Sequence, residues 1–249
     1  MNYQWNWGVF WEIASTGDGY YVDWLVSGLV WTLATAGLAW IIALVIGCIL
    51  GVIRTTPIQW AVRLGDAYVE LFRNIPLIVH MFLWFFVIPE FLPAKLSAMI
   101  KLDLPYPEFW TAVVALGFYT AARVSEQVKA GINALPKGQL YAAKAMGFTV
   151  PQTYQHVLLP QAFRVIIPPL TSEAANIVKN SSVALTIGLI ELTQQARNIS
   201  EYTFQTFEAF TAATVIYFVV SYSIVNVMRL IERQLRIPGL VVSVSNDGH

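Results

Sequence analysis

The stretch from Glu126 to Pro160, EQVKAGINALPKGQLYAAKAMGFTVPQTYQHVLLP, lies between strongly apolar blocks and combines frequent charge with ordered turn signals. Pro136 suits the first turn of a short helix, where its missing N–H is no loss. Strong helix formers follow it, and Gly147 is placed to end the helix as a left-handed cap. Pro151 can then start the next helix. The stretch therefore predicts a short amphipathic helix over about 136–150, between membrane spans, that can dock a soluble partner.

The composition of the whole chain is that of a membrane protein. Hydrophobic residues make up 57% of the 249 residues and charged residues only 12%, with a mean hydropathy of +0.58. Ordinary soluble chains are about a quarter charged. The 15 basic and 15 acidic residues balance, so the sequence has no nucleic-acid footprint and no nucleic-acid partner is expected. The single cysteine, Cys48, excludes an internal disulfide and a cysteine-rich metal site.

Five stretches predict membrane-spanning helices, because a span needs about 20 mostly apolar residues. The clearest is the first, since no charged residue occurs between Trp24 and Ile53. Four glycines in it would allow a neighbouring helix to approach closely: Gly28, Gly37, Gly47 and Gly51. In the fourth span, the pair Pro168-Pro169 predicts a kink or a break. The predicted spans run over about 24–53, 58–88, 108–133, 161–190 and 207–233.

The basic residues predict the orientation of the chain. If the amino terminus lies outside, the cytoplasmic segments hold nine of them: Arg54, Arg63, Lys129, Lys137, Lys144, Arg164, Arg229, Arg233 and Arg236. The outside segments then hold only Lys95, Lys101 and Arg197. Because basic residues favour the cytoplasmic side, the amino terminus is expected outside and the carboxyl terminus inside. The predicted organisation is an extracytoplasmic segment at 1–23, a transmembrane domain at 24–236 and a cytoplasmic tail at 237–249.

Two blocks of the chain resemble the permease subunits of ABC importers. Gly147, nine further residues and then Val157-Leu158-Leu159-Pro160 match a cytoplasmic loop signature of that family. The acidic-Ala-Ala triplet of the signature reads Tyr141-Ala142-Ala143 here, so the acidic position and the ion pair it would make with a partner are missing. The block from Tyr68 to Leu77, YVELFRNIPL, closely resembles permeases of polar amino acid importers. The resemblance covers about residues 27–233.

The resemblance implies an all-α integral membrane protein with five transmembrane helices, the MetI-like fold of small ABC importer permeases. It implies a multi-pass, non-catalytic subunit of the bacterial cytoplasmic (inner) membrane, with ATP and Mg bound by a partner ATPase and no cofactor on this chain. The sequence agrees, because it contains no Gly-x-x-x-x-Gly-Lys-Ser/Thr phosphate loop. The implied partners are a dimer of ATP-binding subunits, a second permease subunit (a homologue or a copy of this chain), an extracytoplasmic amino-acid-binding protein and the lipid membrane.

In such permeases the short cytoplasmic helix inserts into a groove on the ATPase subunit and transmits its movement. The helix bundles then rock around a site at mid-membrane, in an alternating-access mechanism. The residues that the resemblance assigns to this coupling are Tyr141, Ala142, Ala143, Met146, Gly147, Leu159 and Pro160.

Polar residues within the predicted spans indicate a substrate pathway, because a charge at the centre of a span costs about 2.5–3.5 kcal/mol on insertion scales. The candidates are Arg123, Glu173, Asn176, Lys179, Ser181 and His80. Glu173, Asn176 and Asn180 have helical spacing and form a polar ridge. The alternative interpretation is a buried polar network that fixes helix packing. For His80, the alternative is a hydrogen-bonded core histidine.

Arg123 indicates the cargo. In the resembling segment of polar amino acid permeases an aromatic residue commonly stands at this position. An arginine offers a planar fork that suits a carboxylate, so the hypothesis is that Arg123 binds the acidic side chain of glutamate or aspartate. The alternative is a salt bridge to Glu126 or to Glu70. Neutral, amide or basic amino acids are the other cargoes considered.

Three further features leave alternatives open. Asp66, Glu70 and Arg73 predict an ion-pair set near the cytoplasmic edge, or else a gate. Glu191, after the fourth span, is expected to act at an extracytoplasmic gate, to meet the binding protein or to end a solvated helix. An ion-coupled secondary transporter is the distant alternative for the whole chain, although no internal repeat supports it.

Overall fold

The computed structural model describes residues 3–17 and 19–235, which leaves Arg236 and the predicted tail at 237–249 outside the described residues. Within the described ranges, regular structure is helical, apart from one isolated antiparallel bridge between Ile13 and Tyr20. The α-helices there are α1 (Tyr21–Ile53), α2 (Gln59–Asn74), α3 (Leu77–Phe82), α4 (Ile88–Phe91), α5 (Ala94–Ala98), α6 (Pro107–Asn133), α7 (Lys137–Ala145), α8 (Val150–Thr153), α9 (Leu159–Asn180), α10 (Leu192–Thr203) and α11 (Thr206–Leu235).

Two of these helices, α1 and α11, are long and apolar enough to cross a membrane. A third span is possible if α2 and the helical stretch Leu77–Phe91 count as one, although they are bent by 105° at their junction. The bend has a local cause: Ile75 is extended (φ −102°, ψ 130°) because the following Pro76 disfavours the α conformation. The second predicted span is therefore two helices set at a steep angle.

Of the kink or break predicted at Pro168-Pro169, the break is wrong, since α9 continues through both prolines as one helix of 22 residues. Each proline removes one hydrogen bond from the helix. Ile166 and Leu170, on either side of the pair, are buried in one cluster with Val124 of α6. This packing holds the helix together where its own hydrogen bonds are lost.

α1 and α6 pack with almost no space between their backbones. A Cβ on Gly47 would lie 2.6 Å from Cβ of Val124, and one on Gly51 would lie 2.5 Å from Cβ of Val128. The close approach predicted for these two glycines is confirmed. For Gly37 it is wrong, because nothing lies within 4 Å of that position.

A short helix forms in the middle of the chain, although α7 covers only Lys137–Ala145 of the predicted 136–150. Pro136 is the N-cap of α7, and Gly147 follows its end with φ +83°. The N–H of Phe148 donates to the carbonyl of Ala143 at 3.1 Å, and that of Gly147 to Lys144 at 3.0 Å. This is the hydrogen-bond pattern that a left-handed glycine cap makes possible.

The segment before α1 is bonded to the start of α11 and shares a hydrophobic cluster with α10 and α11. A 3₁₀ turn at Trp7–Trp11 buries Val9, which packs in one cluster with Ile199 of α10 and Ala209 of α11. α10 also lies against α1, where a Cβ on Gly28 would be 2.8 Å from the Leu192 Cα. The amino-terminal segment, α1, α10 and α11 therefore form one end of the bundle.

Candidate functional site

Arg123 of α6 and Glu173 of α9 form an ion pair, so two of the candidate pathway residues meet. Arg123 Nε donates to Glu173 Oε2 at 3.0 Å. The Glu173 side chain is only 7% exposed, whereas that of Arg123 is 41% exposed. Neither alternative partner named for Arg123 pairs with it in this structure: Glu126 is bound by Arg54 and Arg73, and Glu70 forms no ion pair among the described residues.

The polar ridge of α9 runs from the buried Glu173 towards the end of the helix. Asn176 and Asn180 are partly buried, and Lys179 is exposed. Lys179 stands six residues after Glu173, about 9 Å further along the helix axis. The region thus combines one buried carboxylate with two cations, Arg123 and Lys179, that remain accessible.

The other two pathway candidates lie in the core and are bonded within their own helical segments. The Ser181 hydroxyl is fully buried and donates to the carbonyl of Val178 at 2.7 Å. His80 is buried, its Nδ1 lies 3.3 Å from the carbonyl of Pro76, and its ring stacks on Phe72 with 4.9 Å between centroids. This environment matches the interpretation of His80 as a hydrogen-bonded core residue.

A second set of charges joins α1, α2 and α6, and is called here the Arg54 cluster: Arg54, Asp66, Arg73, Glu126 and Lys129. Arg54 is its buried centre. Its Nε lies 2.7 Å from Asp66 Oδ1, its Nη2 lies 2.6 Å from Glu126 Oε1, and its Nη1 donates to Ser125 Oγ at 3.1 Å. One guanidinium therefore bridges three helices.

The outer members of the Arg54 cluster are more exposed. Lys129 Nζ lies 3.1 Å from Asp66 Oδ1, and Arg73 Nη1 lies 3.5 Å from Glu126 Oε2. The cluster lines a cavity of about 470 Å³. Asp66 and Arg73 form ion pairs as predicted, whereas Glu70 lines the cavity and forms none among the described residues. The central role of Arg54 was missed. Its sequence signal is that it is the first charge after a long uncharged span.

Most of the coupling candidates are exposed on α7 and the turn after it, and the last two, Leu159 and Pro160, begin α9. Tyr141 and Met146 are 62% and 69% exposed. Ala142, Gly147 and Pro160 are also exposed, Leu159 is partly buried, and Ala143 is buried against the protein. A partner could therefore contact the two large side chains without disturbing the packing underneath.

Tyr154 links this surface to the bundle, a contact that the sequence interpretation missed. Its hydroxyl donates to the carbonyl of Thr55 at 2.6 Å. Thr55 directly follows Arg54, in the turn between α1 and α2. The segment after α7 is thus bonded to the residue next to the centre of the Arg54 cluster.

Glu191 caps α10 from a buried position, so its interpretation as the end of a solvated helix is wrong. Its carboxylate accepts hydrogen bonds from the backbone N–H groups of Thr193 (3.0 Å) and Gln194 (2.8 Å) and from the hydroxyl of Tyr217 in α11 (2.6 Å). The N–H of Leu192 donates to Thr32 Oγ1 of α1 at 3.1 Å. The start of α10 is therefore bonded to both α1 and α11.

Comparisons with known proteins find similarity to membrane components of transport systems. A model of the family described as "Binding-protein-dependent transport system inner membrane component" matches residues 43–237. The chain is 48% identical over 241 residues to the "Glutamate/aspartate import permease protein GltJ" of Escherichia coli strain K12, which covers 96% of this chain and 98% of that protein.

Two further similarities are more distant. The "Probable glutamine ABC transporter permease protein GlnM" of Bacillus subtilis strain 168 is 36% identical, over 72% of this chain and 76% of that protein. A solved crystal structure of an amino acid ABC transporter with histidines is similar with a TM-score of 0.73 at 29% identity, over 86% of this chain and 95% of that chain.

Proposed function

Because the chain belongs to the family of binding-protein-dependent transport system inner membrane components, we propose that it is the permease subunit of an ATP-driven importer of glutamate and aspartate. The expected all-α, MetI-like permease fold is confirmed. The family is one of ABC transporter permease subunits, which are generally not catalytic. The observation that carries the proposal is 48% identity, over 96% of the chain, to a glutamate/aspartate import permease.

The proposed topology has five spans, with the amino terminus outside and the carboxyl terminus in the cytoplasm. α1 and α11 supply two of the spans, the bent pair of α2 and Leu77–Phe91 a third, and α6 and α9 the remaining two. α6 and α9 carry charged residues that pair with each other or with the Arg54 cluster, which lowers the cost of burying them. The excess of basic residues on the proposed cytoplasmic side supports the orientation.

α7 is proposed as the element that meets the ATPase, in a complex that also holds a second permease and an extracytoplasmic binding protein. ATP and Mg are proposed to bind to the ATPase. The exposure of Tyr141 and Met146 supports this role, because large exposed apolar side chains on a short helix can fill a groove on a partner. Through Tyr154 and Thr55, a displacement of this surface would reach the turn between α1 and α2.

Gly147→Ala and Gly138→Ala form a matched pair that tests the coupling role of this surface. A Cβ at either position meets nothing within 4 Å, but only Gly147 has a positive φ, of +83°. The first substitution therefore strains the end of α7 by about 1 kcal/mol, whereas the second is expected to be neutral or slightly stabilising. We expect Gly147→Ala to lower transport per ATP hydrolysed in the reconstituted importer and Gly138→Ala to leave it unchanged. Equal transport per ATP hydrolysed in the two variants would contradict the coupling role.

The cargo is proposed from the charges of the pathway candidates. Glutamate and aspartate carry two carboxylates and one ammonium group. Arg123 and Lys179 are accessible cations that can each bind a carboxylate, and Glu173 is a carboxylate that can bind the ammonium group. The Arg123–Glu173 pair would open when cargo binds, with each partner exchanging the other for a group of the substrate. Asn176, between Glu173 and Lys179 along the helix, offers a further hydrogen bond.

Uptake by the whole importer, reconstituted in vesicles with its ATPase and binding protein, tests the function. We expect uptake of radiolabelled glutamate that depends on ATP inside, persists when the proton gradient is collapsed, and is competed by aspartate more strongly than by other amino acids. Uptake that continues without ATP as long as an ion gradient is present would favour a secondary transporter and overturn the proposal.

Glutamine is the second candidate cargo, because the relative at 36% identity is a probable glutamine permease. An amide side chain has no charge for Arg123 to bind. Competition for glutamate uptake by glutamine as strong as that by aspartate would favour this alternative.

A further inference from the structure

Four aromatic residues form a continuous surface where the amino-terminal segment meets the start of α11, and they are called here the aromatic collar: Tyr3, Trp5, Trp7 and Phe207. The Tyr3 ring lies 4.7 Å from that of Phe207 and 5.1 Å from that of Trp5, measured between centroids. Trp5 and Trp7 stack with centroids 5.7 Å apart and planes inclined by only 2°. The collar is therefore a packed unit.

The rings of the collar are exposed, although hydrogen bonds hold the segment that carries them on a buried side chain of α11. Trp5, Trp7 and Phe207 are each at least half exposed. Beneath them, the fully buried carboxylate of Glu208 accepts a hydrogen bond from the Asn6 N–H at 2.7 Å and another from the Tyr3 hydroxyl. These bonds fix the segment on α11, so the rings are held out in one defined arrangement.

The position of the collar along α11 matches the edge of a bilayer. Arg229 is the first basic residue on α11, and no charged residue lies between Glu208 and Arg229. Phe207 and Arg229 are 22 residues apart, about 33 Å at the rise of an α-helix, close to the roughly 30 Å of a hydrocarbon core. If Arg229 marks the cytoplasmic boundary of the core, Phe207 lies at the outer boundary.

The collar also continues a face of α11 that has few contacts with the rest of the chain. Thr214, Phe218 and Tyr222 are exposed and follow Phe207 at helical spacing on that face. A face of this length, on a helix that crosses the membrane, has lipid as its natural cover. The rings of the collar stand at the outer end of this face.

We propose that the aromatic collar lies in the outer headgroup region of the bilayer and anchors the amino-terminal segment there. Trp and Tyr are enriched at this depth because their rings are apolar and carry a polar group. Residues 3–17 contain no Lys or Arg and include Glu12, so charge does not attract them to anionic lipids. The anchor would hold Val9 against α10 and α11, keeping that end of the bundle packed. The proposal rests on the membrane placement of α11, but not on the cargo or the ATPase.

Spin labels on single cysteines test the proposal in the whole importer reconstituted in vesicles of phosphatidylethanolamine and phosphatidylglycerol. In a Cys48→Ser chain, the labelled positions are Trp7→Cys in the collar, Thr16→Cys in the exposed turn and Thr214→Cys on the exposed face of α11. Collision rates with oxygen and with a water-soluble nickel chelate give the depth of each label. Gln4→Cys, an exposed position that keeps all four rings, guards against loss of the collar through Trp7→Cys itself.

We expect the oxygen-to-nickel ratio to be several-fold higher at positions 4 and 7 than at 16, and highest at 214. The ratios should not change when phosphatidylglycerol is replaced by zwitterionic lipid. Ratios at 4 and 7 equal to that at 16, with 214 still in the hydrocarbon, would overturn the anchor and leave the proposed function intact. Protection of 4 and 7 from both reagents only when the binding protein is added would also overturn it, in favour of a protein contact. A water-exposed 214 would overturn both the anchor and the membrane placement of α11.

Discussion

Arg123 and Glu126 stand one helical turn apart on α6, yet they belong to two very different groups of charges. Glu126 faces α1 and α2 and belongs to the Arg54 cluster, whose buried central arginine makes three contacts shorter than 3.2 Å. Arg123 faces α9 and makes one ion pair with Glu173, and its own side chain remains 41% exposed. A single helix therefore carries one charge group that is internally satisfied and one that is not.

The difference separates structural charge from charge that can bind a ligand. The buried donors of Arg54 already have partners within the chain, so a ligand could bind there only by breaking the joint between three helices. At the Arg123 pair the guanidinium remains accessible, and Lys179, six residues after Glu173 on α9, is exposed as well, so the three charges sum to one positive charge. We therefore expect substitutions in the first group to change stability and substitutions in the second to change selectivity.

The largest effect is expected for Arg54→Ala. The substitution leaves the carboxylates of Asp66 and Glu126 without their shared cation. Breaking a buried ion pair in this way costs about 3–5 kcal/mol, and the lower end applies because both carboxylates are about one-third exposed. The free energy of unfolding, measured by titration with a denaturing detergent, should fall by about 3 kcal/mol.

Arg63→Ala is the matched control for this prediction, because Arg63 is exposed on α2 and makes no ion pair among the described residues. Its unfolding free energy should stay within about 0.5 kcal/mol of the parent. If Arg54→Ala were as mild as this control, the Arg54 cluster would not be the joint between α1, α2 and α6.

An intermediate effect is expected for Arg123→Ala, and it should appear in selectivity. Without the guanidinium, the preference of the reconstituted importer for glutamate over glutamine should fall roughly tenfold, equivalent to about 1.4 kcal/mol. Arg164→Ala, an exposed arginine on α9, is the control and should keep the preference. A ratio of uptake rates that is the same in Arg123→Ala and in the parent would rule out this arginine as the determinant of an acidic cargo.

The smallest effects are expected at the rim of the Arg54 cluster. Lys129 is 30% exposed and lies 3.1 Å from Asp66, whereas Arg73 is 54% exposed and lies 3.5 Å from Glu126. Ion pairs as exposed as these contribute less than about 1 kcal/mol and weaken in salt. Lys129→Ala should lower the unfolding free energy by about 0.5 kcal/mol, and Arg73→Ala by less. If either substitution lowered the unfolding free energy by more than about 2 kcal/mol, the stability of the cluster would depend on all of its members and not mainly on Arg54.

Local features of the chain could be predicted because their causes lie within a few residues. The cap at Gly147 follows from the freedom of glycine to adopt positive φ. The uncharged run after Trp24 likewise identifies α1 without any knowledge of its neighbours.

Partners across the bundle could not be predicted, because they depend on how each helix is rotated about its axis. The sequence offers Arg123 two candidate carboxylates, Glu126 on its own helix and Glu70 on the preceding predicted span, but the packing of α6 against α9 selects Glu173. The same limit applies to α9, where buried neighbours preserve a helix that two prolines alone would interrupt. It applies equally to Gly37, which is exposed with nothing within 4 Å, whereas Gly47 and Gly51 on the same helix meet α6.

The valines of α6 that sit in the hollows left by Gly47 and Gly51 restrict how the transporter can work. For one helix to slide along the other, Val124 and Val128 would have to leave the spaces that exist because Gly47 and Gly51 have no Cβ atom. The two backbones lie too close together for this to happen without separating the helices. α1 and α6 are therefore expected to move as one rigid body during transport. The hinges of the transport cycle must then lie outside the α1–α6 pair. The 105° bend between α2 and Leu77–Phe91 is a place where the chain can flex without separating α1 from α6.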